Sequence, residues 1–177
     1  MKIACILTNY FEDSEFRVPY DRLRDAGHDV VVIGKKKGEE IEGKQHKEKV
    51  RADAGIDEVK PAEFDAILIP GGFSPDQLRI DPRFVDFVKA FDSAKKPIAA
   101  VCHGPQILLT AGIVKGRKMT AWPTVQVDLK YAGANVVDQE AVVDGNLVTS
   151  RKPDDLEAFS REFINLLSSR AQARPAA

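Results

Sequence analysis

Near its middle the chain reads Pro97-Ile98-Ala99-Ala100-Val101-Cys102-His103-Gly104-Pro105-Gln106-Ile107-Leu108-Leu109. Five apolar residues behind Pro97 suit a strand covered on both faces, because such a strand loses the polar alternation of a half-exposed one. Gly104 and Pro105 then start a helix. Glycine permits the tight turn, and proline is favoured in a first helical turn, where its missing N–H has no intrahelical acceptor to lose. Cys102 is thereby expected at the carboxyl end of a strand and beside a helix N-terminus, where ligands bind in open α/β sheets. The run reads as a nucleophile elbow.

An ordinary thiol, with a pKa of about 8.5, is only a few per cent thiolate near neutrality, and the thiolate is the nucleophile. A helix N-terminus is worth roughly 0.3 to 2 kcal/mol, or about one pKa unit. Backbone N–H donors or a neighbouring cation must supply the rest.

Outward from the elbow, strands and helices alternate. Residues 2–8 read as a first buried strand, 12–26 as an amphipathic helix ending at Ala26-Gly27, and 28–34 as a second strand. The charged stretch 35–53 reads as a turn-rich excursion with short edge strands, its lysines forming a solvated face. Phe64 to Pro70 is a third core strand, followed by helical patterns over 74–79 and 82–95. Beyond the elbow come a helix over 104–112, a short strand over 119–122 and a helix over 123–132 stopped by Gly133. A hairpin then turns at Asp144-Gly145. The closing helix runs from Pro153 to about Ser169, with Asp154 and Asp155 placed to complement its dipole. The pattern predicts an α/β flavodoxin-like three-layer sandwich with a mostly parallel central sheet. Residues 1–170 form one domain and 171–177 a frayed tail.

Three loops at strand ends should meet at Cys102. The first, Asn9-Tyr10-Phe11-Glu12-Asp13-Ser14-Glu15, crowds three carboxylates at a helix start. Glu12 and Asp13 there suit dipole capping, while Glu15 is placed to face the elbow. An ionised carboxylate opposes thiolate formation, so Glu15 assists only if it keeps its proton and donates to sulfur. A raised Glu15 pKa and a titration coupled to Cys102 are therefore expected. In the second loop, Gly71-Gly72 lets the backbone bare its N–H groups, so the Gly72 and His103 N–H groups suit an oxyanion hole. Asp76 would cap the next short helix or orient a histidine. At the elbow itself, His103 is the first candidate for a base to Cys102, with Asp76 to hold its tautomer. His28 and His46 read as surface residues.

Composition narrows the function classes. A formal net charge of −1 and a pI near 6.3 leave no electrostatic footprint for nucleic acid or an anionic membrane. No basic leader and no long apolar run is visible, so a cytoplasmic protein is expected. Two cysteines make a disulfide framework improbable, and Cys5 suits a core position. The scattered cysteines and histidines match no metal-ligand spacing, and no cofactor is expected.

Ala100-Val101-Cys102-His103-Gly104-Pro105-Gln106, the Asn9–Glu15 loop, Pro70-Gly71-Gly72 and Val143-Asp144-Gly145-Asn146-Leu147-Val148-Thr149-Ser150-Arg151 together resemble the PfpI family of the ThiJ superfamily. The resemblance spans residues 2–167 and is strongest to the branch of bacterial general stress proteins and archaeal intracellular proteases. It implies a class I glutamine amidotransferase-like fold and homodimers able to assemble into hexamers. It also implies a Cys-His pair completed by an acid from the neighbouring subunit. That acid is usually Glu; the matching residue here is Asp76, one methylene shorter. The glutamate contacting the cysteine corresponds to Glu15, with Glu12 its acidic neighbour. A pocket aromatic that is often Tyr is Trp122 here, which removes a hydroxyl and narrows the site; Glu12 and Gly71 are the other expected pocket residues.

Peptidase, glyoxalase, deglycase and chaperone activities are all implied by the resemblance. The chemistry favours small electrophilic carbonyls or glycated amines, since a thiolate adds readily to an aldehyde while Glu15 and His103 shuttle protons. An intracellular cysteine peptidase and a non-catalytic redox sensor or holdase are the alternatives. A glutamine amidotransferase would need a later histidine, and none follows His103. An FMN site is opposed by the carboxylates of the first loop, which repel phosphate.

Overall fold

The structure, a computed structural model, describes residues 1–173. In chain order the elements are β1 (Lys2–Ile6), α1 (Asp13–Asp25), β2 (Asp29–Gly34), β3 (Glu40–Glu42), β4 (Lys49–Arg51), β5 (Ala54–Gly55), β6 (Ala66–Ile69) and α2 (Ser74–Leu78). They continue with α3 (Pro82–Ser93), β7 (Ile98–Val101), α4 (Pro105–Thr110), β8 (Lys118–Met119), α5 (Pro123–Tyr131), β9 (Asn135–Val136), β10 (Val142–Asp144), β11 (Leu147–Ser150) and α6 (Leu156–Gln172).

Seven strands form the central sheet in the order β10-β11-β7-β6-β1-β2-β5. Only the β10–β11 hairpin is antiparallel; every other pairing is parallel. Helices cover both faces, and the strands show it in their burial. Ala4, Ile6, Ile98 and Ala100 point into one core with Phe84, Val88 and Phe91 of α3 and Ile107 of α4. Ile3, Cys5, Ala99 and Val101 point into the other with Phe16 and Leu23 of α1 and Phe159 and Phe163 of α6. A strand buried on both sides has no polar face to alternate, which is why these strands read as continuous apolar runs. The expected three-layer sandwich is the observed one, and no helix among the described residues is long and apolar enough to cross a membrane.

Four local expectations are corrected. The strand expected over 119–122 is the two-residue β8, which pairs in parallel with β9 in a separate small sheet; the polar, two-residue β9 carries no period to read. The excursion 35–53 folds β3 and β4 into an antiparallel hairpin apart from the main sheet. The last helix continues through 171 and 172, which were expected in the frayed tail, while 174–177 lie outside the described residues. The closing helix, expected from Pro153, opens as a 3-10 turn over Pro153–Asp155 and becomes α-helical only at Leu156, the Asp155 carboxylate accepting from Arg151 Nε at 2.9 Å and Nη2 at 3.1 Å.

Candidate active site

Where β7 ends, Cys102 takes a positive φ of 62°, a left-handed conformation that costs a non-glycine residue on the order of 1 kcal/mol or more. Its neighbours hold it there. Cys102 N–H donates to Ser150 O at 2.9 Å, Gly104 N–H to Val101 O at 2.7 Å and Trp122 N–H to Cys102 O at 2.9 Å. Gly104 is required by proximity, since a Cβ at that position would stand 2.7 Å from Ile69 O. The sulfur-bearing residue, 6% exposed, sits in a cleft of about 200 Å³ lined also by Glu12, Glu15, Lys44, Gly72, His103 and Trp122.

Helix α1 delivers Glu15 to the floor of this cleft with no exposed surface. Its Oε2 accepts the Gly71 N–H at 2.9 Å, while Oε1 has no nitrogen or oxygen partner among the described residues. The Cys102 thiol and this carboxyl line the same cleft, and each shifts the other's titration. Burial raises the Glu15 pKa to about 8, with the Glu12 charge adding to the rise and the Cys102 and Gly71 hydrogen bonds and Lys44 opposing it. At pH 7 the carboxyl therefore keeps its proton, as the loop chemistry led us to expect.

The thiol responds to the same neighbours. Burial pushes Cys102 above its ordinary value, an ionised Glu15 pushes it further, and the backbone N–H groups of His103 and Gly72 offset only part of the rise. Thiolate and carboxylate thus oppose each other across the cleft. Once Glu15 is protonated its repulsion vanishes and it becomes a donor to sulfur, so ionised sulfur requires a neutral Glu15. The Gly72 and His103 N–H groups, expected as an oxyanion hole, act as donors to the Cys102 sulfur and favour negative charge on that atom.

The left-handed turn at Cys102 also resolves the difficulty that adjacent side chains diverge. His103 Nδ1 lies 3.2 Å from Cys102 Sγ, and its ring stacks on Trp122 with centroids 5.9 Å apart and planes 24° from parallel. Burial, with Lys44 adding to it, holds the imidazole below its ordinary value, so at neutral pH it is a base rather than a cation. Asp76 only partly fits its expected place. It lies exposed in the first turn of α2, which it does not cap, and its carboxylate makes no hydrogen bond among the described residues; it acts on His103 through its charge alone.

Lys44 is the site residue that sequence reasoning missed, having been assigned to a solvated face. Asp13 brings it in. That carboxylate accepts the backbone N–H groups of Gln45, Lys47 and Glu48 at 2.9, 3.0 and 2.9 Å, fastening the β3–β4 turn to the start of α1. Burial alone would raise Asp13, but these three bonds outweigh it and hold its pKa below the ordinary value. Thus docked, Lys44 Nζ pairs with Glu12 Oε2 at 2.6 Å, and Gln45 Nε2 donates to Glu12 Oε1 at 2.8 Å. Glu12 itself makes no capping bond to α1.

A mostly parallel α/β sheet with a strained cysteine at the end of its inner strand β7, flanked by an acid and an imidazole, defines the class: a nucleophile-elbow protein of the three-layer type. The DJ-1/PfpI family model matches residues 1–166, and the chain belongs to that family. It is 55% identical to general stress protein 18 of Bacillus subtilis over 167 residues, which cover 94% of this chain and 97% of that one. Protein/nucleic acid deglycase 2 of Escherichia coli is 53% identical over 169 residues, covering 95% and 98%. Among solved structures, a two-domain protein with DJ-1/ThiJ/PfpI-like and ferritin-like domains from Anabaena variabilis superposes with a TM-score of 0.92 at 40% identity, covering 94% of this chain and 48% of that one.

Proposed function

We propose that this protein is a stress-associated, cysteine-dependent hydrolase or lyase of the deglycase or glyoxalase type, acting on small reactive carbonyls or early glycation adducts. The observation that carries the reading is the Cys102 sulfur held between His103 Nδ1 at 3.2 Å and the neutral Glu15 carboxyl, in a cleft of only about 200 Å³. That space suits a substrate of a few heavy atoms better than an extended peptide, which disfavours the peptidase alternative. The names of the stress-protein and deglycase relatives support a stress-associated enzyme, while a putative cysteine protease of Bacillus subtilis at 51% identity keeps the peptidase as the alternative.

For a 2-oxoaldehyde such as methylglyoxal, Cys102 thiolate adds to the aldehyde carbon and the resulting alkoxide takes a proton from Glu15, giving a hemithioacetal. His103 or the Glu15 carboxylate removes the proton on that carbon, and the adjacent carbonyl carbon is reprotonated, leaving a thioester. Water attacks the thioester, the thiolate leaves, and the product is the 2-hydroxy acid. The sum is aldehyde plus water, with no external oxidant or cofactor. An early adduct on an amine enters the same sequence after the carbonyl fragment is transferred to sulfur and the amine departs with a proton.

Tyr10 and Phe73 lie exposed beside the cleft and Ile80 just beyond α2, on the side where Asp76 stands. A second copy covering this rim would form the expected homodimer, with hexamers built from it, and would bring Asp76 of one subunit to His103 of the other. A cytoplasmic location, where reactive carbonyls arise, completes the reading. Turnover of methylglyoxal and a glycated amine that disappears in Cys102→Ser supports it. Peroxide-dependent protection of client proteins without turnover would instead favour the redox-sensor alternative, and cleavage of peptides alone the peptidase.

A further inference from the structure

We propose that Lys44, carried to the cleft by the β3–β4 turn, is a positioning residue that holds Glu12 and thereby sets how many protons the Glu15–Cys102 pair carries. It rests on the Glu15–Cys102 pairing of the proposed function, but its test reads the thiol and not turnover, so the two fail separately.

The charged and titratable groups around this pair come from four elements. Glu15 rises from α1 and Glu12 from the residue before it; Cys102 and His103 come from the elbow; Lys44 arrives from the β3–β4 turn; Asp76 acts from α2 through His103. Two of them bear on the pair with opposite sign. Glu12 disfavours a second negative charge at Glu15, whereas Lys44 favours negative charge at both Glu15 and Cys102. Their 2.6 Å contact makes them partly cancel. The cancellation is fragile, because the ammonium belongs to a surface hairpin and its side chain is 37% exposed, while Glu12 is buried. Asp13 docks that hairpin through backbone bonds that do not involve the Lys44 side chain, so replacing the lysine leaves the turn in place.

The test is the pH dependence of iodoacetamide alkylation of Cys102 in the full-length protein. Lys44→Met removes the cation and unmasks Glu12, so the midpoint should rise by about one unit and the rate near neutrality fall roughly tenfold. Glu12→Gln leaves the cation uncompensated, so its midpoint should fall. Lys44→Arg, which keeps the charge, should behave as wild type, and the double variant should return toward it. A merely structural role moves both single variants the same way and is not rescued by the double; that result, or an unmoved midpoint in both, overturns the proposal. If Lys44→Met fails to fold, the direction of the Glu12→Gln shift decides alone.

Discussion

Glu15 gives one carboxyl oxygen to the Gly71 N–H at 2.9 Å and keeps the other without a hydrogen-bond partner among the described residues, in the cleft that also holds Cys102. On the proposed reading, one proton shared between these two groups keeps the acid neutral and lets the sulfur ionise. Because Glu15 has no other route to solvation, its loss is felt at the thiol directly.

Glu15→Gln retains a donor for sulfur but cannot exchange a proton. Turnover of a 2-oxoaldehyde should fall about 10²- to 10⁴-fold, the usual worth of a general acid–base group. Titration of Cys102 should collapse from two coupled steps to one. Steady-state kinetics and a thiolate absorbance titration check the two halves separately.

Stability should depend on pH through the same carboxyl. Its folded-state pKa, about 8, lies above the ordinary value of 4.5, so the folded state binds this proton more tightly than the unfolded chain. The contribution is complete below about pH 4.5 and is lost as pH rises toward 8, with a slope of at most about 1.4 kcal/mol for each step of one in pH. Denaturant melts across pH 5 to 8 should therefore show a downward slope that Glu15→Gln flattens. Asp13 has the opposite sign: its depressed pKa stabilises above the ordinary value and is lost toward acid.

Gly71 stands where a side chain cannot. A Cβ there would collide with Glu15 Oε2 and lie 2.8 Å from Cys102 Cβ and 2.9 Å from Val101 O. Gly71→Ala should cost roughly 1–3 kcal/mol of stability and displace the acid from the sulfur. Alkylation of Cys102 should lose its coupled pH profile even in protein that remains folded.

Strain at the elbow predicts a reversal of the usual ranking of alanine and glycine. With φ at 62°, Cys102→Gly should be more stable than Cys102→Ala by about 1 kcal/mol, and both should be inactive. Thermal or chemical melts of the two variants give the comparison.

Much of this was legible in the sequence because it is local. The Ile98–Val101 run, the cysteine and the Gly104-Pro105 helix start fall within ten residues, and each constrains the backbone of the next. Glu15 was legible for a different reason, since its place near the start of the first helix directs it toward the elbow, where a carboxyl beside a thiolate must keep its proton. Lys44 was hidden: a lysine in a polar turn has no periodicity, and its place depends on Asp13 gripping three amides more than thirty residues away. Asp76 lies exposed in the first turn of α2 and acts on the His103 of its own chain through charge, so its expected role depends on a second subunit that one chain's sequence does not display. Likewise β9 is too short and too polar to announce itself.

The rate of Cys102 alkylation by iodoacetamide, followed from pH 5 to 10 in the wild-type protein and in Glu15→Gln, tests the shared proton most directly. A neutral Glu15 donating to sulfur predicts a wild-type midpoint below the roughly 8.5 of a free thiol and a displaced, single-step profile in the variant. An ordinary or higher midpoint, unchanged when Glu15 is replaced, would contradict it.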